Sequence, residues 1–308
     1  MQVAIQGFQG SFHEVAARQY FGDQVGLGYC ATFGEVVGQA TDGRADAALM
    51  AMENSLAGSI LPNYLLLERH PLTITGEIYL PIHQHLLVLP GTQLADIRAV
   101  HSHPMALRQC GDYLGQHPGW QLVETEDTGL SAQLLAERQT PGVAVIAGAQ
   151  AAEAFGLEIL APAINDDPHN YTRFLVLKRA AEAAPVAQPD KASLYFYTSH
   201  APGMLARVLT LIAGLGLNLS KLQSCPRPSQ PWHYGFHADV EFATPTQLDA
   251  LLAELPAVTE ELRVLGAYQR GSMDFGPVGE ADESQKERHA ELAEASLPHS
   301  LNDTLEAR

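Results

Sequence analysis

Thr172, Arg173 and Phe174 stand together at the start of an apolar run, residues 174–177, just after the turn-rich segment 165–170. A hydroxyl and a guanidinium at a loop-to-strand junction suit an anionic ligand, since threonine donates one hydrogen bond and arginine grips carboxylate with two N–H groups. The plainer alternative makes Arg173 a surface ion-pair partner and Thr172 an ordinary strand residue, and the local pattern alone favours it. A second group, Glu53-Asn54-Ser55-Leu56-Ala57-Gly58-Ser59, lies where an apolar strand gives way to a helical pattern. In open α/β sheets ligands bind beyond the carboxyl ends of the strands, and a following helix N-terminus favours an anion. Asn54, Ser55 or Ser59 could equally serve as plain helix caps. A third junction, Gly7-Phe8-Gln9-Gly10-Ser11-Phe12, is a possible cleft edge. It lacks both the GxGxxG spacing and the GK[ST] of a phosphate loop, so turn chemistry explains it as well. His101 and His103 have no third metal ligand at a suggestive position, and Cys110 fits a buried thiol better than a nucleophile. Neither GxSxG nor HExxH occurs.

These groups need elements to hold them. Residues 1–178 alternate β-rich and helical stretches: strands over 3–5, 46–51, 73–80, 86–89, 97–100 and 142–146, with helices through Val15, over 59–69, 104–114, 128–137 and 149–155. That alternation predicts an α/β domain with largely parallel sheets. Residues 180–191 are Ala- and Pro-rich and read as a linker. Beyond them strands at 193–198, 217–222, 234–242 and 261–268 alternate with helices at 202–214 and 246–255, a compact βαββαβ unit of α+β type. Pro202 suits the first turn of its helix. Residues 273–308 carry Asp274, Glu280, Asp282, Glu283, Glu287, Glu291, Glu294, Asp303 and Glu306 against Lys286, Arg288 and Arg308. This reads as an acidic, solvated tail with one short helix over 283–295.

At 308 residues, 46 % apolar and 17 % charged, the chain is long and apolar enough for about two globular domains. Acids outnumber bases 35 to 18, for a net charge of −17, which argues against a nucleic-acid or anionic-membrane surface. No apolar stretch reaches the ~18 residues of a membrane helix. Met1 to Gly7 runs directly into a strand pattern without the regions of a signal peptide, and Cys30, Cys110 and Cys225 are odd and scattered. Together these predict reduced thiols and a cytoplasmic protein.

The elements are more specific in order than singly. GxxGSF from Gly7, ENSxxGS at 53–59, SHPxALxQC at 102–110 and Thr172-Arg173-Phe174 follow one another along the chain, with Asp127-Thr128-Gly129-Leu130-Ser131-Ala132 and the run 147–160 between them. This succession resembles the prephenate dehydratase family over essentially all of the first 178 residues, and the βαββαβ unit resembles the ACT domain that commonly succeeds it. The resemblance implies a two-lobed catalytic domain over 1–178, like a periplasmic binding protein, with the active site in the cleft. Lobe one would be about 1–78 plus 160–178 and lobe two about 79–159. A linker at 180–191, an ACT domain at 192–268 and the tail at 273–308 complete the expected order.

The implied reaction converts prephenate to phenylpyruvate, water and carbon dioxide on the branch toward phenylalanine. Aromatisation drives it, so neither cofactor nor metal is expected. Departure of the ring hydroxyl needs a proton donor, assistance typically worth ~10²–10⁴-fold. The resemblance assigns that donor to Thr172, a substrate carboxylate to Arg173 and ring packing to Phe174. Asn54, Ser55 and Ser59 come next as donors at a helix N-terminus, and Asn170 as the residue orienting the loop that presents Thr172. A free threonine is a very weak acid, so Thr172 would act as an oriented donor in a preorganised field. In the ACT part, Pro202, Gly203, Met204 and Leu205 resemble a Gly-Ala-Leu-Val element, with Asn218 and Ser220 near the matching strand. Gln223 and Cys225 stand where the family has Glu and Arg. Feedback inhibition by phenylalanine and a homodimer or homotetramer are expected. The alternatives are an arogenate dehydratase, whose substrate carries an ammonium in place of the keto group, or a catalytically silent protein that binds an aromatic acid. The intact Thr172-Arg173-Phe174 argues against the silent protein.

Overall fold

The computed structural model describes residues 1–227, 230 and 232–272; the acidic stretch 273–308, with its expected helix, lies outside the described residues. The chain builds three sheets. The first begins with β1 (Gln2–Gln6), α1 (Phe12–Phe21), β2 (Gly26–Cys30), α2 (Phe33–Thr41) and β3 (Ala47–Asn54). β1 lies between β2 and β3, parallel to both. Six successive residues of β3, Ala47 to Met52, are buried, the continuous apolar pattern of a strand covered on both faces. The two-residue β4 (Gly58–Ser59), α3 (Leu61–Arg69) and β5 (Leu72–Pro81) come next.

The chain then crosses into a second lobe: β6 (His85–Val88), β7 (Ala99–Ser102), α4 (Pro104–Arg108), α5 (Gly111–Gly115), β8 (Gln121–Glu124), α6 (Thr128–Arg138), β9 (Val143–Ala147), α7 (Ala149–Phe155) and β10 (Glu158–Ala161). Its five strands run β10-β6-β9-β7-β8. β11 (Tyr171–Arg179) returns to the first sheet and pairs between β3 and β5. The two crossings touch where Ile82 N donates to Asn170 O at 2.7 Å. Gly10 and Gly129 let the lobes meet: a Cβ on Gly10 would overlap Ala151, and one on Gly129 would overlap the carbonyl of Gln9.

The third sheet comprises β12 (Lys191–Tyr197), β13 (Asn218–Pro226), β14 (Tyr234–Glu241) and β15 (Glu261–Tyr268), with α8 (Met204–Gly214) and α9 (Pro245–Glu254). It is antiparallel throughout, in the order β13-β14-β12-β15. One face packs on α8 and α9 through Leu194, Phe196, Val208 and Leu251. Its other face shares a core with the first sheet, where Tyr195, Tyr197, Leu265 and Tyr268 meet Met50, Met52, Ile74 and Leu175.

Four expectations change. The first two sheets are mixed and not largely parallel: β11 arrives from the second lobe and pairs antiparallel with β3 and β5, and in the second sheet β6 pairs antiparallel with β9 and β10. The helix expected over 104–114 breaks into α4 and α5. The Asp166 carboxylate accepts from Gly111 N at 2.9 Å and Asp112 N at 3.0 Å, capping a second helix where the first would have continued. The helix expected from Ser59 begins at Leu61, because Gly58, at φ +82°, turns the chain so that Ser59 pairs back onto Glu53. The helix expected from Pro202 begins at Met204, with Gly203 at φ +80° as its N-cap, so Pro202 stands outside it.

Docking of the third sheet depends on a close backbone approach. Thr73 Oγ1 donates to Leu265 O at 2.9 Å, and a Cβ on Gly266 would overlap the carbonyl of Ile74. Gly266→Ala is therefore expected to destabilise by about 1–3 kcal/mol. Gly38→Ala, inside α2 with open space around it, should stabilise by about 0.5–1 kcal/mol. Urea titration of both variants checks the contrast.

Candidate active site

The alternation of a β-strand sends neighbouring side chains to opposite faces. On β11 this divides the Thr-Arg-Phe triplet. Thr172 and Phe174 line a cavity of about 470 Å³ between the two lobes; Arg173 does not. The first lobe contributes Ser11, His13, Asn54, Ser59, Thr172 and Phe174, and the second contributes Gln84, His103, Gln109, Glu126, Asp127 and Thr128. Asn54 is the organiser. It lies opposite Thr172 in the ladder, and its Nδ2 is shared among Asn170 Oδ1 at 2.7 Å, Tyr171 O at 3.1 Å and Thr172 Oγ1 at 3.1 Å. Because Thr172 Oγ1 accepts from Asn54, its own hydrogen is left to donate elsewhere. Asn54 Oδ1 accepts from Leu56 N, Ala57 N and, across the cleft, Gln109 Nε2 at 3.4 Å. Asn170, fully buried behind the cavity wall, donates to Gln109 Oε1 at 3.0 Å.

The expectation that Arg173 grips a substrate carboxylate is corrected by its surroundings. Its side chain is 3 % exposed and faces the third sheet. Nη2 meets Glu77 Oε2 at 2.6 Å, Nη1 meets Asp239 Oδ2 at 2.5 Å and Glu53 Oε1 at 3.2 Å, and Nη2 donates to Tyr268 OH at 3.1 Å. Lys191 Nζ adds a second cation to Glu77 at 3.0 Å. Burial alone lowers the tendency of Arg173 to hold its proton, but Asp239, Tyr268 and Glu77 more than offset that and push it well above the ordinary arginine value. Asn54, Ser55 and Ser59 are not at a helix N-terminus, since β4 intervenes before α3. Asn54 and Ser59 still reach the cavity; Ser55 does not line it. Its hydroxyl donates to His169 O at 3.0 Å and accepts from Tyr171 N at 2.9 Å. The expected effector residues lie apart from the cavity on the third sheet and α8. Asn218 Nδ2 donates to Glu241 Oε2 at 3.1 Å, and Ser220 Oγ to Asp239 O at 3.4 Å.

The family model for prephenate dehydratase matches residues 3–182, more than half of the chain. The chain belongs to the prephenate dehydratase family. A bifunctional chorismate mutase/prephenate dehydratase of Enterobacter agglomerans is 34 % identical over 272 residues, covering 87 % of this chain and 70 % of its own. Among solved structures, a prephenate dehydratase of Arthrobacter aurescens in complex with L-Phe superposes with a TM-score of 0.81 at 29 % identity, covering 96 % of this chain and 99 % of its own. GqqA, described as a novel type of quorum quenching acylase, gives a TM-score of 0.79 at 33 % identity, with 88 % and 98 % covered.

This member of the dehydratase family lines its cavity with neutral polar and acidic groups. None of the described lining residues is Lys or Arg, while Glu126 and Asp127 are acids. Burial raises the Asp127 pKa, although its Oδ1 accepts from Leu130 N at 3.0 Å as the cap of α6. His103 Nδ1 accepts from Met105 N, and burial lowers its pKa. His13 lies edge-on to Phe174 at 4.9 Å with no hydrogen-bond partner on its buried Nε2, and burial lowers its pKa to about 3. It is a neutral imidazole at physiological pH. No cluster able to hold a metal ion occurs among the described residues, and His103 is a cavity residue while His101 is not. Sequence reasoning missed Gln84, Gln109, His13 and Asp127 as cavity residues. Gln109 and Asp127 were within reach, each inside a motif already singled out, and His13 comes directly after Phe12.

Two outcomes test these electrostatics. Arg173→Met strips one cation from a buried cluster and should cost about 3–5 kcal/mol in urea titration, with Arg173→Lys recovering little because the forked contacts need a guanidinium. His13, and His237 whose pKa burial lowers to about 4, stay neutral in the folded state where the unfolded chain would bind protons near pH 6.5. Their stability contribution is complete above pH 6.5 and is lost as pH falls toward 4. Between pH 6.5 and 5 the slope should reach up to about 1.4 kcal/mol per pH unit for each histidine, and His13→Phe should remove one of the two.

Proposed function

We propose that this cavity converts prephenate to phenylpyruvate. The ring carboxylate leaves as carbon dioxide, its C–C bonding pair completes the aromatic ring, and the hydroxyl on the opposite ring carbon leaves as water. One proton is consumed per turnover. Thr172 donates toward the departing hydroxyl and is reprotonated from solvent, while Phe174 offers its edge to the ring. The observation that carries this reading is the sense of the Asn54–Thr172 bond, which leaves the hydrogen of a hydroxyl on the cavity wall free to be donated. Asn54, Ser59, Gln109 and Gln84 supply neutral polar contacts, so the field that the described lining residues offer to charge separation is built from oriented dipoles. Asn170 holds Asn54 and Gln109 from behind, and Ser55 ties the ends of β3 and β11 together. Against an acylase activity like that named for GqqA, none of the described hydroxyls or thiols lining the cavity is hydrogen-bonded to a histidine or carboxylate side chain. Acyl transfer through an activated nucleophile uses that pairing.

A second reading is favoured by one observation, the presence of Glu126 and Asp127 with no cation beside them. A substrate bearing an ammonium, as arogenate does, would find a counter-charge there. We further propose phenylalanine as an effector acting through Pro202, Gly203, Met204, Leu205, Asn218 and Ser220, a reading supported by the L-Phe complex of the Arthrobacter relative. Gln223 and the buried Cys225 remove two charges from that neighbourhood, relative to the family pattern. A homo-oligomer in the cytoplasm completes the proposal; no described helix is long and apolar enough to cross a membrane.

Purified protein incubated with prephenate, without cofactor, should form phenylpyruvate, read by its absorbance in alkali. Thr172→Ala should lower kcat by at least ~10²-fold, with Thr172→Ser retaining most activity. Equal turnover by wild type and Thr172→Ala would remove Thr172 as the donor. Faster turnover of arogenate than of prephenate would establish the second reading.

A further inference from the structure

We propose that Lys221, on the third sheet, is a positioning residue of the dehydratase cavity: its ammonium holds the Ser59 hydroxyl so that this hydroxyl donates to a carboxylate of the substrate. The proposal rests on the dehydratase reading of the cavity. Lys221 extends from β13 to the cavity wall, where Nζ donates to Ser59 Oγ at 2.8 Å and pairs with Glu53. An ammonium has only hydrogens to offer. Ser59 Oγ must therefore accept from Lys221, and its own hydrogen must point elsewhere. Ser59 lines the cavity, and its hydrogen is divided between that side and the Tyr64 hydroxyl, which lies beside it; a substrate carboxylate is the stronger acceptor of the two.

The backbone leaves Ser59 little freedom, because β4 pairs it directly with Glu53 on β3. Glu53 in turn meets both Lys221 and Arg173 Nη1, which fixes the position of the Lys221 ammonium. A lysine that served only to dock the third sheet would need Glu53 alone; the bond to Ser59 is additional. It also answers a deficit, since the described lining residues include no Lys or Arg to meet a substrate that carries carboxylate charge. A hydroxyl that accepts from an ammonium is a stronger donor than a free one. By this route a cation on another sheet acts on the cavity without entering it. Asn218 and Ser220 lie on the same strand, so any event that shifts β13 shifts Lys221 and with it Ser59.

The test begins with prephenate turnover by the unaltered chain. Lys221→Met should then raise KM by about 10-fold while kcat stays within about twofold, the size of a lost hydrogen bond to a charged group. Lys221→Arg, which keeps the charge and the donors, should recover most of the affinity. In a Ser59→Ala background, Lys221→Met should raise KM by less than about twofold, because the residue it acts through is gone. An equal rise in KM in both backgrounds, or an unchanged KM with only the thermal midpoint lowered, would show Lys221 to be a docking residue and overturn the proposal. Turnover of neither prephenate nor arogenate by the unaltered chain would instead remove the dehydratase reading, and this proposal with it.

Discussion

A guanidinium sealed from water must be matched by carboxylates, and Arg173 makes that demand at the centre of this protein. Its side chain is 3 % exposed and that of Glu77, its partner, is fully buried. Desolvating an ion costs several kcal/mol, so neither charge would be tolerated without the other. Glu77 comes from β5, but Asp239 and Tyr268 come from β14 and β15, and Lys191 from β12. The cluster is complete only when the third sheet is docked. Register of the returning strand, burial of Glu77 and attachment of the third sheet are thus a single constraint.

What that constraint gives the cavity is a fixed strand. With Arg173 held from one face, Thr172 and Phe174 emerge on the other, opposite Asn54 and Ile78 in the neighbouring strands. The side chain of Asn54 then spends every hydrogen-bonding atom on orienting its surroundings. Gln109 links it to Asn170 across the cleft, so the polar floor of the cavity belongs to both lobes. The role proposed for Thr172 asks for this kind of rigidity, because a weak acid contributes only if its hydrogen is already oriented.

Much of the architecture was legible. The unbroken apolar run of β3 and the βαββαβ order of the third sheet arise from local pattern, because each is decided by neighbours a few residues apart. The resemblance to the family rested on motifs that bracket the cleft, and the family membership agrees with it. Local pattern misled at two helices, one through a distant group and one through an adjacent turn. Asp166 splits the helix expected over 104–114, and Gly58 folds Ser59 back onto β3 before α3 begins. The antiparallel entry of β11 was invisible because strand direction is decided by the path through the second lobe.

Arg173 marks the boundary between the two kinds of information most clearly. The sequence by itself determined that a hydroxyl, a guanidinium and an aromatic ring would share one strand, and period-two alternation already separates the middle residue from its neighbours. It could not say which face would be the cleft, because the carboxylates that claim Arg173 lie 96 and 120 residues away on β5 and β3, with a third on the last sheet. Only the tertiary structure brings those charges together, and burial makes the choice. A guanidinium goes where carboxylates are fixed and water is absent, which leaves Thr172 and Phe174 to face the cavity.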